Sequence, residues 1–319
     1  MNSLKLYTFN RPVPAERFDC CFRYFLIQEL EKKYKVEWFN LSGDDNFIYE
    51  NEGDTYKFYD GSTALIEMEN KKIKLLDFGD CPISTLNISK FKNFQMSAIA
   101  HYNPKLWNND TRMKSGILYE TNWEFGKTNS NEVVEFRKNI ELNNKLYWLG
   151  TIYKNTGIDR YDGCRDSIPL ISKFLRDKFS FNPNRLPFDQ YILECCRHKL
   201  ILGFGGGGGY TCGDFCLRDV ELFGLEIPMI RPKFNIETID PLIPDFHYIS
   251  VNIDDCLLPN FRIKKECEEE VANRIAIKYL EVINNDTLLK YVAENSKNWY
   301  DKNMTYPNVI NTVIKVLEL

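Results

Sequence analysis

Lys199-Leu-Ile-Leu-Gly-Phe204, then Gly205-Gly-Gly-Gly-Gly209, then Tyr210-Thr211, and further on Leu217-Arg-Asp-Val-Glu-Leu-Phe-Gly-Leu-Glu-Ile-Pro228 decide the fold. The first run is a strongly apolar strand, and the glycines form a turn. Residues 214–223 carry helical spacing, and Ile227–Ile230 is again a strand. That order makes one β-α-β unit, which favours a parallel sheet. Five glycines in a row are costly unless the backbone must approach something closely. Their amides, with the free N–H groups of the following helix, form an anion site. On that helix Arg218 and Glu221 stand about one turn apart and share a side. Arg218 suits a phosphate through its bidentate fork. Glu221 suits the adjacent hydroxyls of a ribose. With Gly205, Gly206, Gly207, Gly208, Gly209, Tyr210 and Thr211 they make a nucleotide-diphosphate site. Gly224 is expected to close the helix in the left-handed conformation.

The same letters satisfy a dinucleotide fingerprint through Gly203, Gly205 and Gly208. That fingerprint calls for an acid at the end of the next strand, where this chain has Arg231-Pro232. It also usually opens its domain, whereas a strand and two helices come first here. An NAD(P)-dependent enzyme is therefore the weaker alternative.

Upstream of the glycines, Lys145–Thr151 is the opening strand of a second domain. A helix over 167–179, a loop over 180–187 with two prolines and a helix over 188–197 follow. Downstream lie a strand at Tyr248–Val251, the acidic turn Asp254-Asp255, and helices near 266–283, 286–299 and 307–318. At the start, Leu4–Phe9, a helical run over 15–34 and Val36–Asn40 form another β-α-β unit. Residues 41–61 read as a polar loop or hairpin. Strands at Thr63–Glu67 and Lys72–Phe78 come next, the second ending in the turn Asp77-Phe-Gly-Asp80. Residues 90–120 mix helix and strand signals. The polar stretch 127–144 reads as a linker.

His198-Lys-Leu-Ile-Leu-Gly-Phe-Gly205 and Leu217–Pro228 resemble the donor-binding half of GT-B glycosyltransferases. Pro241-Leu-Ile-Pro-Asp-Phe-His-Tyr-Ile-Ser-Val-Asn-Ile-Asp-Asp255 and Leu146-Tyr-Trp-Leu-Gly150 are similar to stretches in their exostosin-like and CAP10-like O-glucosyltransferase branches. The resemblance covers roughly residues 145–255, and the five-glycine loop departs from it. It implies an α/β fold of two Rossmann-like domains facing each other across a cleft. The expected division is residues 1–140 for the acceptor side, 141–300 for the donor side, and 301–319 as a helix crossing back. It implies transfer of a sugar from a UDP- or GDP-linked donor to a glycan or glycoprotein hydroxyl, inverting, with no catalytic metal and no cofactor.

Such a transfer needs charge on the leaving diphosphate neutralised and a base at the acceptor hydroxyl. Arg160 and Arg165 lie in the loop after the opening strand of the second domain, an edge that faces ligands in such sheets. Asp80, and less directly Asp77, lie at a carboxyl strand end and are the candidate bases. His101 is a further candidate, and Asp19 and Glu16 are weaker ones. His247 reads as a packing or positioning group.

The 319 residues are 44% hydrophobic with a net charge of -4. That suits two ordinary domains and argues against a nucleic-acid partner. No stretch approaches the ~20 apolar residues that span a bilayer, so the expected location is cytoplasmic. The ten cysteines read mostly as reduced, buried thiols. Cys195, His198, Cys212 and Cys216 match no common zinc spacing. A metal-dependent GT-A enzyme would use an Asp-x-Asp motif, whereas Asp44-Asp45 and Asp254-Asp255 are adjacent pairs. A non-catalytic nucleotide-sugar-binding module is the non-enzyme alternative.

Overall fold

The computed structural model describes residues 2–8, 26, 28–40, 47–51, 54–58, 63–69, 72–77, 94–99, 113–115, 130–150, 167–182, 186–204, 213, 217–259 and 261–319. The chain is mixed α/β and divides into two compact units. One is Met1–Asn122 with Ile236–Ile239 and Asn303–Leu319, and the other is Trp123–Asn235 with Asp240–Lys302.

The first unit holds β1 (Ser3–Thr8), β2 (Lys35–Asn40), β3 (Phe47–Asn51), β4 (Asp54–Phe58), β5 (Thr63–Met68), β6 (Ile73–Asp77), β7 (Phe94–Ile99) and β8 (Met113–Ser115). Its six-stranded sheet runs β2-β1-β5-β6-β7-β8, with β3 and β4 as a separate hairpin. β1 and β2 are parallel, as are β6, β7 and β8. The centre, β1-β5-β6, is antiparallel. The sheet is thus mixed, where a Rossmann-like parallel one was expected. The cause is loop length. Only 69–72 separate β5 from β6, and Met68 donates its amide to the Lys72 carbonyl at 2.9 Å. A connection that short joins only antiparallel strands. Within the region of mixed signals, 90–120, the described residues form β7 and β8.

The second unit holds β9 (Leu146–Leu149), β10 (Phe179–Asn182), β11 (Ile201–Leu202), β12 (Met229–Pro232) and β13 (Ile249–Val251). Its helices are α1 (Ser130–Lys138), α2 (Ile168–Leu175), α3 (Phe188–Cys196), α4 (Leu217–Gly224), α5 (Glu268–Val282) and α6 (Asp286–Asn303); α7 (Tyr306–Val316) lies in the first unit. The sheet is wholly parallel, in the order β10-β9-β11-β12-β13. Counted along the chain that is second, first, third, fourth, fifth. Leu200, Ile201 and Leu202 are at most 1% exposed, as a central strand covered on both faces requires. On one face Leu146 and Trp148 pack with Ile168, Ile171, Val271 and Ile275 of α2 and α5. On the other, Tyr147 stacks on His198 at 4.3 Å between ring centres.

Several expectations are corrected here. The loop over 180–187 contains most of β10, where Phe179 is buried and Phe181 is exposed, as on an edge strand. The linker 127–144 carries α1. Its inward face is Val133, Val134 and Arg137, so a charged residue concealed the helical stripe. Gly224 is not left-handed; that conformation falls on Glu226, with φ 57°. Gly224 is glycine because a Cβ there would stand 3.0 Å from the buried Tyr300 ring.

In the first unit, the Lys74 ammonium is buried and donates to the carbonyls of Leu317 and, at 3.0 Å, Glu318. Val309, Ile310, Val313 and Leu317 are buried there too. The chain's last residues are therefore part of the first unit's core.

Gly213, between the glycine run and α4, has φ +93°, and a Cβ there would stand 2.5 Å from the Lys233 carbonyl oxygen. Gly213→Ala is expected to lower the unfolding free energy by about 1–3 kcal/mol, read as a fall in the urea midpoint. An unchanged midpoint would show that the loop does not rest on residues 233–235.

Candidate functional site

Parallel strands end at one edge of the second unit's sheet, and in this strand order the chain reverses direction between β9 and β11. Crevices at such switch points, beyond the carboxyl strand ends, are where open α/β sheets bind ligands. The residues at this point are tied to one another. The Trp148 indole N–H donates to the Phe204 carbonyl at 2.9 Å, fixing the residue before the glycine run. Gly150 gives the indole room, since a Cβ there would meet the ring at 2.8 Å. Arg218, in the first turn of α4, donates to the Leu149 carbonyl, and its guanidinium carbon lies 5.8 Å from the Trp148 ring centre. Beyond the glycines, Gly213 accepts from the Asn235 amide at 3.0 Å. Phe204 and Gly213, which flank the glycine run in sequence, are thus each tied to the sheet side by a hydrogen bond.

One residue further along α4, Asp219 meets Arg231 of β12 at 2.6 Å, both at most 3% exposed. The Arg231 guanidinium also lies over Phe234, 3.4 Å from the ring centre. This pair occupies the strand end where a dinucleotide fold would carry a ribose-binding acid. It also explains Gly203, where a Cβ would crowd Met229, Arg231 and Asp219.

Arg218 and Glu221 influence each other electrostatically, as helical spacing requires. Glu221 is also within electrostatic reach of Tyr191 on α3. Burial pushes the Glu221 carboxyl up to about 7, against the lowering pull of Tyr191 and Arg218. Burial also pushes the Tyr191 hydroxyl and the Cys195 thiol well up. Cys195 is therefore a protonated packing group.

The remaining sequence candidates divide cleanly. Gly205 to Gly209, Tyr210, Thr211, Arg160, Arg165, Asp80, His101, Asp19, Glu16, Cys212 and Cys216 lie outside the described residues. Asp77 is the last residue of β6 and pairs in register with Ile99 of β7. The chain toward Asp80 and the chain toward His101 thus leave from adjacent strand ends. His247 is buried and accepts the Ile243 amide on Nδ1 at 2.8 Å, which makes it a loop-positioning group. His198 is buried beside the Lys145 carbonyl, 3.2 Å from its Nδ1, and burial lowers its pKa. Among the described residues no group of His, Cys, Asp and Glu could hold a metal ion. No helix among them is long and apolar enough to cross a membrane.

Sequence reasoning missed Trp148, Asp219 and the role of Arg231. Arg231 carried a signal, a charge at the end of an apolar strand, and Asp219 a matching one on the facing helix. Trp148 carried none, because its bond goes to a backbone carbonyl.

No family model and no curated protein matches the chain. Among solved structures it is similar to TarM, over 99% of this chain and 92% of that one, with 9% sequence identity and a TM-score of 0.41.

Glu221 has a consequence for stability. Its native pKa is raised, so between about 4.5 and 7 the folded chain holds a proton that the unfolded chain has released. Stability contributed at this site is therefore present at low pH and lost as pH rises through that window. Glu221→Gln removes the slope. Relative to the parent, it is expected to gain on the order of 1–3 kcal/mol between pH 4.5 and pH 8. Urea unfolding of both proteins across that range tests it; parallel pH profiles would refute the raised Glu221 pKa.

Proposed function

We propose that the chain is a glycosyltransferase that takes its sugar from a UDP- or GDP-linked donor. The observation that carries this reading is the placing of Arg218 and Phe204 at the β9–β11 switch point. A guanidinium there is suited to a diphosphate, as are the amides of the five glycines that the sequence carries between Phe204 and Gly213. The same cation stabilises negative charge on the leaving diphosphate as the glycosidic bond breaks. Glu221, one turn along α4, lies on the ribose side of Arg218 and meets a ribose only if the bound nucleotide reaches that buried carboxyl, and Arg160 and Arg165 are assigned to the leaving phosphates. Tyr210 and Thr211 border the loop.

The acceptor is a glycan or glycoprotein hydroxyl. Its proton is taken by Asp80, with Asp77 and His101 as the other candidate bases. Transfer by a single displacement inverts the anomeric centre. The protein-side cations do the work that a divalent ion does in metal-dependent transferases, so no metal or other cofactor takes part. The resemblance of residues 145–255 to the GT-B donor half supports the same assignment.

Thermal-shift measurements with UDP, GDP, CMP and NAD separate the ligand classes, because a ligand that binds only the folded state raises its apparent stability. UDP or GDP is expected to stabilise the chain and NAD is not. Arg218→Ala is expected to weaken binding of that nucleotide about tenfold to a hundredfold. Equal affinity in parent and variant would remove the phosphate role. Asp80→Asn should abolish transfer while leaving nucleotide binding intact, and full transfer by that variant would exclude Asp80 as the base. Activity lost in EDTA and restored by Mn²⁺ would favour a metal-dependent enzyme.

A further inference from the structure

At the opposite edge of the second unit's sheet, beyond the amino ends of β9, β11 and β12, lies a cavity of about 360 Å³. That is within the roughly 300–1,000 Å³ of small-molecule sites. One part of its wall is apolar, from Val134, Leu142, Pro228, Leu289 and Ala293. The charged part has an excess of cations: Arg137, Lys138, Lys199 and Lys290 against Glu226 and Asp286. The three lysines have carboxylate partners. Lys138 meets Glu135 at 3.0 Å, Lys199 meets Asp286 at 2.8 Å, and Lys290 meets Glu294 at 3.6 Å.

Arg137 is different. It is only 8% exposed and makes no ion pair among the described residues. Its Nη1 donates to the carbonyls of Cys196 and His198, at 2.6 and 2.7 Å. Two backbone carbonyls orient the guanidinium without neutralising it, and among the described residues no other acceptor meets it. Glu226 acts on it only through space. Buried charges are ordinarily paired, because burial opposes the charged form and an arginine does not escape by losing its proton. An uncompensated guanidinium on the wall of a cavity has the character of a receptor for an anion. The apolar surface beside it selects what the anion is attached to.

We propose that this cavity binds a small amphipathic anion, its carboxylate on Arg137 and its hydrocarbon part against Val134, Pro228 and Leu289. The site is separate from the nucleotide site and does not depend on it. Glu226 faces the same space and opposes the ligand, so it moderates the affinity.

Isothermal titration of the whole chain with octanoate, 1-octanol and inorganic phosphate tests this. Octanoate is expected to bind about tenfold more tightly than either of the others. Arg137→Met should abolish the preference for octanoate over octanol. Because Arg137 also braces backbone, two further variants keep its hydrogen bonds in place. Glu226→Gln should tighten octanoate about threefold by removing the opposing charge. Leu289→Trp should fill the cavity and abolish binding. Equal affinity for octanoate and octanol would overturn the anion assignment. Equal affinity for phosphate and octanoate would overturn the amphipathic one. Octanoate binding unchanged in both Glu226→Gln and Leu289→Trp would place the ligand elsewhere.

Discussion

The ion pair between Asp219 and Arg231 is the constraint on which the second unit's ligand edge depends. It joins the first turn of α4 to the end of β12, with both residues at most 3% exposed. Two charges taken from water lose several kcal/mol of hydration each, and only close geometry restores it. Here the geometry is a 2.6 Å contact, supplemented by the Phe234 ring under the guanidinium. A pair of this kind adds little net stability over an apolar substitute. What it does is forbid alternatives, since withdrawing either partner alone leaves a buried charge and costs about 3–5 kcal/mol. Helix α4 is thereby held in one register. Arg218, one residue before Asp219, inherits its position at the switch point from that register.

Close packing on this edge accounts for two glycines that have no flexibility role. Gly203 is small because Met229, Arg231 and Asp219 close in on it, and Gly150 is small because the Trp148 ring lies against it. Gly213 alone among the described glycines adopts a positive φ. Small residues on this edge are thus mostly concessions to close packing. The five consecutive glycines lie between two fixed ends, Phe204 and Gly213.

How much of this was legible in the sequence varied with the physics of each element. The parallel order of the second unit was readable because strand, glycine turn and helix alternate with unmistakable periodicity between 199 and 230. The antiparallel centre of the first sheet was less so. It follows from the short β5–β6 connection, a matter of chain reach more than of pattern. Helix α1 was hidden because Arg137 belongs to its buried face. Gly224 was misassigned because a glycine at a helix end has two physical explanations, and the contact with Tyr300 decides between them only in three dimensions. In the site, Arg218 and Glu221 were found by spacing, yet spacing cannot show that burial raises the Glu221 pKa. Trp148 and Arg231 went unnoticed in their roles because their partners are a backbone carbonyl and a residue twelve positions away.

Arg137 and Arg231 show how differently one residue type is used within a single unit. Arg231 is buried against a carboxylate and an aromatic face, so its charge is spent inside the protein and fixes architecture. Arg137 is buried nearly as deeply, but its fixed contacts are two carbonyl dipoles, which orient a cation and leave most of its charge uncompensated. Partial dipoles cannot replace a full counter-charge at hydrogen-bond distance, because a carboxylate contact is about twice as strong as a neutral one. The two arginines lie at opposite edges of one parallel sheet. The strand ends that gather Arg231 and Arg218 at one edge leave, at the other, a gap between α1, α6 and the strand starts.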